Sequence, residues 1–552
     1  MGRRLSQMPC CKAVQRGIRV LCLHPGLRRK HHRRNNQLRA ECNLFVPHSE
    51  RLFNSERFNR VNAVSPSPGS IARRPVLRDG VLHTDLCIIG AGSGGLSVAA
   101  GAVQMGASVI LIEKHLMGGD CLNTGCVPSK ALLAAAHAAH AQRHAGPFGI
   151  ASHEPAVDFA KVHAHVHGVI AAIAPHDSVE RFEGLGVTVI QAAASFTGPA
   201  EVQAGAQRIR ARRFVVATGS SAAIPPVPGL GDIPYLTNET IFGLKERPDH
   251  LLVLGGGPIG IEMAQAFRRL GARVTLVERA AILPRDEPEA VTILRDALIR
   301  EGITLHEGIE VVAARNAGAG VELELRGNAG TVLVQGSHLL VAAGRKPNTA
   351  GLGLEAAGIE VTPRGITVDQ RLRSSNRRVF AIGDVSGGPQ FTHIAGHHAG
   401  IVIRNALFGL PAKVDYAALP WVTYADPELA HVGLTEAAAR EAGHDVSTLL
   451  QPLAGNDRAQ AERATEGLAK IILGSRGRIL GATILAPRAG EMIGVWGLAI
   501  QQKMKIGAIA SMIAPYPTMS EISKRAAGSF YTPSLFGART RRLVGLLQRW
   551  LP

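Results

Sequence analysis

Between residues 83 and 114 the chain reads HTDLCIIGAGSGGLSVAAGAVQMGASVILIEK. The unbroken apolar run Leu86–Ile89 leads into a cluster of glycines, then a segment of small and apolar residues, then a second apolar run. An uninterrupted apolar tetrad suits a strand covered on both faces, so the pattern predicts strand, glycine turn, helix, strand in a parallel sheet. The same succession returns at residues 250–279, HLLVLGGGPIGIEMAQAFRRLGARVTLVER. The chain therefore contains an internal repeat of one α/β unit.

Each repeat carries G-x-G-x-x-G at its turn: Gly90, Gly92 and Gly95, then Gly255, Gly257 and Gly260. In a dinucleotide-binding unit the first glycine makes the tight turn, the second lets a pyrophosphate approach the backbone, and the third lets helix and strand close together. The phosphates then rest on the helix N-terminus. Glu113 and Glu278 end the second strands, where a carboxylate binds ribose hydroxyls. Two such units imply two dinucleotides, or one adenine dinucleotide and one flavin. The stretches 215–229 (VVATGSSAAIPPVPG) and 339–349 (LLVAAGRKPNT) read as crossovers between the units, and VFAIGDV at 379–385 puts Asp384 just after a strand. The first nucleotide domain is thus expected to be discontinuous, with the second inserted into it.

Residues 118–130 read GGDCLNTGCVPSK, with Cys121 and Cys126 five apart and Cys126 opening a helical stretch with Pro128 in its first turn. A thiolate there is stabilised by free N–H groups and the helix dipole. Zinc would need further ligands at short spacing, which are lacking, so the alternatives are a redox pair and a structural disulfide.

The two fingerprints with CLNTGCVPSK, ATG, GRKPN and AIGD resemble the class I pyridine nucleotide–disulfide oxidoreductases, over residues 83–535. That family includes dihydrolipoamide dehydrogenase, glutathione reductase and mercuric reductase. The resemblance implies an α/β fold of two Rossmann-type domains, for FAD and NAD(P), plus a C-terminal α+β dimerisation domain. It implies an NAD(P)H-dependent FAD enzyme in which Cys121 attacks substrate, Cys126 lies against the flavin, and Lys130, near the flavin N5, pairs with Glu262. It also puts Thr218, Gly219, Gly344 and Asp384 at the cofactors, with Glu278 and Arg279 at the nicotinamide nucleotide. The expected boundaries are 81–230 and 346–414 for the FAD domain, 231–345 for the NAD(P) domain and 415–537 for dimerisation. The resemblance further implies a homodimer in which the C-terminal segment of one subunit caps the cysteines of the other.

One motif departs from the relatives. Dihydrolipoamide dehydrogenase and glutathione reductase keep a His before Pro in the C-terminal segment, followed by Glu, as the acid–base for dithiol chemistry. Here the segment is IAPYPTMSE, with Tyr516 at that place and Glu521 retained. A phenol of pKa ~10 is a poor base at neutral pH. Mercuric reductase resembles this chain in that tyrosine, but delivers mercury through a C-terminal cysteine pair, and no cysteine follows Cys126 here. Glu278 favours NADH, whereas Arg279 and Arg285 stand where NADPH-using relatives keep phosphate-binding arginines; the balance is slightly toward NADH.

Composition changes little of this. The 552 residues suggest three or four domains at ~150 each. Of the net charge of +18, the first 80 residues hold 17 Lys/Arg against 4 Asp/Glu, leaving the body almost balanced and without a nucleic-acid signal. That basic arm reads as a disordered extension or a start placed upstream of the body, with a targeting peptide as the alternative. Seven cysteines, none beyond 126, point to a reducing, cytoplasmic setting, and no apolar run reaches the ~18–20 residues of a membrane span. Cys10–Cys11 could hold a soft metal ion only with a surrounding fold, and the sets His137, His140, His144 and His163, His165, His167 read as solvated or half-buried faces rather than metal ligands, so no metal site is expected. His393, His397 and His398 read as a helix start lining the flavin site. The tail 538–552 is basic and amphipathic; such helices lie on anionic membranes, though packing on a dimer surface is commoner. Three functions follow: a reductase delivering electrons to a disulfide, metal ion or quinone, mercuric reductase-like or dihydrolipoyl dehydrogenase-like; a membrane-docked NADH dehydrogenase; and a flavin-bearing binding protein without turnover.

Overall fold

A computed structural model describes residues 73–318, 320–328 and 330–551. The expectations on residues 1–72, including Cys10 and Cys11, lie outside these residues.

The first apolar run lies inside Val81–Ile89, which is parallel to Val109–Glu113 on one side and to Gln207–Val216 on the other. Leu86, Cys87, Ile88 and Ile89 are all buried, as a central parallel strand requires. The sheet has eight strands and gains its last, Val379–Ala381, only after the chain has passed through the second repeat. That repeat forms its own four-stranded parallel sheet, in the order Ile303–His306, Arg273–Val277, His250–Leu254 and His338–Val341. A three-stranded antiparallel meander over residues 310–336 precedes the last of these strands. The first sheet is therefore interrupted by the second. Residues 420–486 build a five-stranded antiparallel sheet against which Glu521–Ser529 packs.

Buried charge ties the second repeat to this last sheet. Lys470 lies 2.8 Å from each of Glu287, Glu289 and Glu436. Burial works against its charge, yet the three carboxylates hold its pKa above that of free lysine. Removing Lys470 would strand Glu287 as an unpaired buried charge, at roughly 3–5 kcal/mol. Arg269 does the same work nearby, between Glu301 at 2.5 Å and Asp426 at 2.8 Å.

The tail forms the helix Ala538–Leu547, and its apolar residues are exposed rather than packed on the chain's own body. Among the described residues no helix is long and apolar enough to cross a membrane.

Candidate active site

The two glycine turns are built alike. Gly90 and Gly255 have φ of +104° and +119°, and a Cβ on either would lie 2.4 Å from a carbonyl oxygen of the neighbouring strand's end, Ala217 or Ala342. A Cβ on Gly95 or Gly260 would lie 1.9 Å from the carbonyl of the first glycine in its own motif. These four are glycines because the fold has no room for anything else. The second glycines differ. Gly92 and Gly257 cap the helices Ser93–Gln104 and Pro258–Arg269, and a Cβ on Gly257 would meet no protein atom within 4 Å. What it would obstruct is the open cleft. The carboxylates also repeat: Glu113 accepts from the N–H groups of Ala91 (2.7 Å) and His115 (2.8 Å), and Glu278 from those of Gly256 (2.6 Å) and Ala280 (2.9 Å). Each acid thus braces its glycine turn while facing the cleft.

The two crossovers are zipped together. Ser220–Ala222 pairs antiparallel with Arg345–Pro347, and Thr218 Oγ1 donates to the Asn348 carbonyl at 2.7 Å. Gly219 and Gly344 take positive φ at the bends. The Ser220 hydroxyl donates to Asp384 at 2.5 Å, and the Arg345 guanidinium stands 3.7 Å from that carboxylate and 3.1 Å from Asp120. Burial raises the Asp384 pKa, opposed by Ser220 and Arg345. Asp120, which also accepts from Asn238 at 2.9 Å, sits one residue before Cys121. Arg345 therefore links the Asp384 turn to the cysteine segment.

Cys121 lies in the short helix Gly119–Asn123, and Cys126 is the first residue of Cys126–Arg143. Both are free thiols. The Cys121 thiol donates to the Cys126 sulfur, and this lowers Cys126 to about 6; burial opposes the shift, while the Thr392 hydroxyl at 3.4 Å and the Lys130 charge support it. The same sharing, with burial, holds Cys121 well above the usual thiol range. The two sulfurs titrate as a pair, with the negative charge favoured on Cys126 and the proton on Cys121. One turn along the helix, Lys130 Nζ is 2.7 Å from Glu262 and 4.1 Å from the centre of the Tyr424 ring. Glu262 is buried, and its other oxygen accepts from the Tyr424 N–H at 3.1 Å.

One cleft of about 2320 Å³ collects these groups. It is lined by Gly90, Gly92 and Glu113, by Gly255, Gly257, Glu278, Arg279 and Arg285, by both cysteines, Lys130 and Glu262, and by Thr218, Gly219, Gly344 and Asp384. The donor set fits two dinucleotides: two N-terminal helix ends, two acids, and room at Gly257 that a side chain would fill. Tyr516 and Glu521 do not line this cleft within one chain. Tyr516 is 69% exposed, and its hydroxyl donates to Asp457 at 3.2 Å. That bond, with the charge of Asp457, raises the phenol pKa further above 10.

The histidines fall out variously. His393 lines the cleft and bonds the Pro420 carbonyl at 2.9 Å, whereas His397 is exposed. His398 is buried: Gly383 N–H donates to its Nδ1 at 3.1 Å, and its Nε2 bonds the Tyr416 hydroxyl at 2.7 Å. Burial lowers it to about 4, so it is a neutral prop behind the Gly383–Asp384 turn. His140 and His144 stack at 4.0 Å, and His163 and His167 lie 4.1 Å apart. Among the described residues no group of three or more His, Cys, Asp or Glu is arranged to hold a metal ion. Of the three histidines expected at the flavin site only His393 lines the cleft, and Arg345, Asp120, Asn238, Tyr424 and Thr392 carry no signal in the sequence for these roles.

Paired nucleotide turns around a thiol–thiolate couple define a flavin-dependent dithiol oxidoreductase. The chain belongs to the pyridine nucleotide–disulphide oxidoreductase family, whose pattern matches residues 84–399, with the family's dimerisation domain at 419–527. It is 40% identical over 458 residues to a mercuric reductase of Streptomyces lividans, which covers 81% of this chain and 97% of that one. It is 36% identical over 460 residues to a dihydrolipoyl dehydrogenase of Geobacillus stearothermophilus, covering 82% and 97%. Among solved structures, the Cu(II) complex of the HOCl-induced flavoprotein disulfide reductase RclA from Escherichia coli superposes with a TM-score of 0.71 at 29% identity, over 80% of this chain and 99% of that one. LpdA from Mycobacterium tuberculosis superposes with a TM-score of 0.74 at 27% identity, over 81% and 99%. The family's cofactors are FAD and NAD(P)H, and the dimerisation domain supports a homodimer.

The open space at Gly257 gives a clean expectation. Gly257→Ala should raise KM for the nicotinamide nucleotide by about tenfold or more while leaving FAD content and Tm unchanged. Steady-state kinetics and a melting curve on the yellow protein check it; an unchanged KM would move the nucleotide elsewhere.

Proposed function

We propose that this chain is a cytoplasmic NADH-dependent flavoprotein reductase that passes an electron pair through Cys121 and Cys126 to a soft metal ion. In this reading 81–230 and 346–414 hold FAD, 231–345 hold the nicotinamide nucleotide, and 415–537 pair two subunits. FAD supplies hydride acceptance from the nicotinamide and electron transfer to sulfur. The first fingerprint, Glu113 and Asp384 bind FAD, Lys130 and Glu262 orient its edge, and Gly255, Gly257, Gly260 and Glu278 bind NADH. Cys126 holds negative charge at the flavin, and Cys121 meets the acceptor. Tyr516 and Glu521 from the other subunit cap the pair. NADH leaves as NAD⁺ with release of a proton, and its two electrons reduce one Hg(II) to Hg(0) or two Cu(II) to Cu(I).

The observation that carries this reading is Tyr516. Its phenol, bonded to Asp457, is held above its ordinary pKa and takes up no proton at neutral pH. Exchange with a disulfide needs a proton shuttle; capture of a soft metal ion needs thiolates. The likeness to a mercuric reductase of about the same length as the body supports it, as does the likeness to a reductase solved with Cu(II). Dihydrolipoyl dehydrogenase is the second reading, favoured by the retained Glu521 and 36% identity. The test is kcat/KM with NADH for Hg(II), Cu(II), lipoamide, glutathione disulfide and quinones at neutral pH. A disulfide or quinone turned over faster than either metal would overturn the proposal.

For the nicotinamide, Glu278 faces the cleft with both oxygens fixed by backbone N–H groups, and it repels a 2′-phosphate. NADH should exceed NADPH in kcat/KM. Glu278→Gln should shift the ratio toward NADPH by roughly tenfold, because Arg279 and Arg285 remain. A wild-type preference for NADPH would contradict the assignment.

A further inference from the structure

The helix Ala538–Leu547 continues as a turn to Leu551, whose N–H bonds the Leu547 carbonyl at 3.0 Å. Its apolar residues stand at 543, 546, 547, 550 and 551, the i, i+3, i+4, i+7, i+8 spacing of a single stripe, with Val544 beside them. All are exposed, Trp550 the most at 82%, and Leu535 and Phe536 extend the exposed apolar surface at the helix start. At about 100° per residue Arg541, Arg542 and Arg549 lie outside the stripe, while Arg539 stands at its N-terminal end, one turn before Leu543. From residue 522 to 552 there are six basic residues and no acidic one.

We propose that this tail is an interfacial anchor that seats the enzyme on an anionic lipid surface. An apolar stripe flanked by arginines, with tryptophan near its end, matches a plane of acyl chains edged by negative headgroups. The helix is too short to span, so it lies in the plane of the interface. With no Asp or Glu side chain from 522 to 552, the tail's side chains add no negative charge for anionic lipid to repel. A single helix of this size binds reversibly, and a homodimer carries two, so the second engagement is intramolecular. Such an anchor would serve the enzyme whichever acceptor it reduces.

The test uses full-length, FAD-loaded protein and vesicles of phosphatidylcholine with or without phosphatidylglycerol. Sedimentation should show roughly tenfold or more tighter partition onto the anionic vesicles, falling by about tenfold in Leu546→Glu/Leu547→Glu and in Arg541→Gln/Arg542→Gln. Trp550 emission should shift to the blue on binding in the wild type and not in the apolar-face variant, and turnover in solution should be unchanged in both. Equal binding to both vesicles would overturn the proposal. So would binding unaltered in both variants, which would assign it to the basic residues 1–72. Loss of the dimer in Leu546→Glu/Leu547→Glu would also overturn it, by making the stripe a contact between copies.

Discussion

Cys126→Ala should abolish the long-wavelength thiolate–flavin absorbance of the reduced enzyme and lower turnover by on the order of 10³-fold or more, since the couple acts as a unit. Cys126 is the favoured seat of the charge because hydrogen bonding to Cys121, the Thr392 hydroxyl at 3.4 Å and the Lys130 charge all lower its pKa. The group is an acid with a depressed pKa, so its charge is present above about 6 and is lost as pH falls through that value. The wild-type band should follow that titration. Cys121→Ala should be equally inactive, yet should show the band without added reductant, because no disulfide can form. Loss of the Cys121 donor removes the largest support of the thiolate, so the band should titrate at higher pH than in the wild type. Absorbance against pH, with NADH turnover in parallel, decides it. Wild-type spectra and turnover in both variants would make the cysteines structural.

The parts of this site that were legible in the sequence are those where backbone geometry dictates residue type. A Cβ at Gly95 or Gly260 would stand 1.9 Å from a carbonyl oxygen, so the motif is written into the chain twice. A strand buried on both faces shows as an apolar run, and Cys126 shows as the opening of a helix. The remaining parts rest on side chains that meet across more than a hundred residues. Arg345 reaches Asp120 and Asp384, and Glu262 meets both Lys130 and Tyr424. No periodicity marks such pairs, because an arginine on a surface and one in a polar bridge look alike in sequence. His140 illustrates the converse. It reads as part of a solvated or half-buried helix face, and burial with the nearby Arg269 charge lowers it to about 4. The meander over 310–336 had no counterpart in the sequence reading, since its alternation is short and its chemistry bland.

Tyr516→His should raise lipoamide turnover at neutral pH by about 10²-fold or more, while leaving metal-ion reduction unchanged or lower. A general base that holds the travelling proton typically contributes 10²–10⁴-fold. Tyrosine does not supply it, because its phenol is held by Asp457 above its ordinary pKa and stays protonated at neutral pH. Imidazole titrates near 6.5 and is free to accept. The surroundings suit it: among the described residues one oxygen of Glu521, four residues after Pro517, is buried with no hydrogen-bond partner. A carboxylate in that state gains from an N–H donor, and an imidazole that donates one nitrogen to it keeps the other as base. For the wild type, lipoamide turnover should therefore be slow and climb with pH as thiol and phenol ionise. Metal capture requires only the thiolate that Cys126 and Cys121 already share, so the substitution gives it nothing. The measurement is kcat/KM for lipoamide and for Cu(II) in both proteins across pH, with Tyr516→His/Glu521→Gln as the control that removes the new pair. Fast wild-type lipoamide turnover at neutral pH, unchanged or lowered by Tyr516→His, would mean that the acid–base position does not set the acceptor in this enzyme.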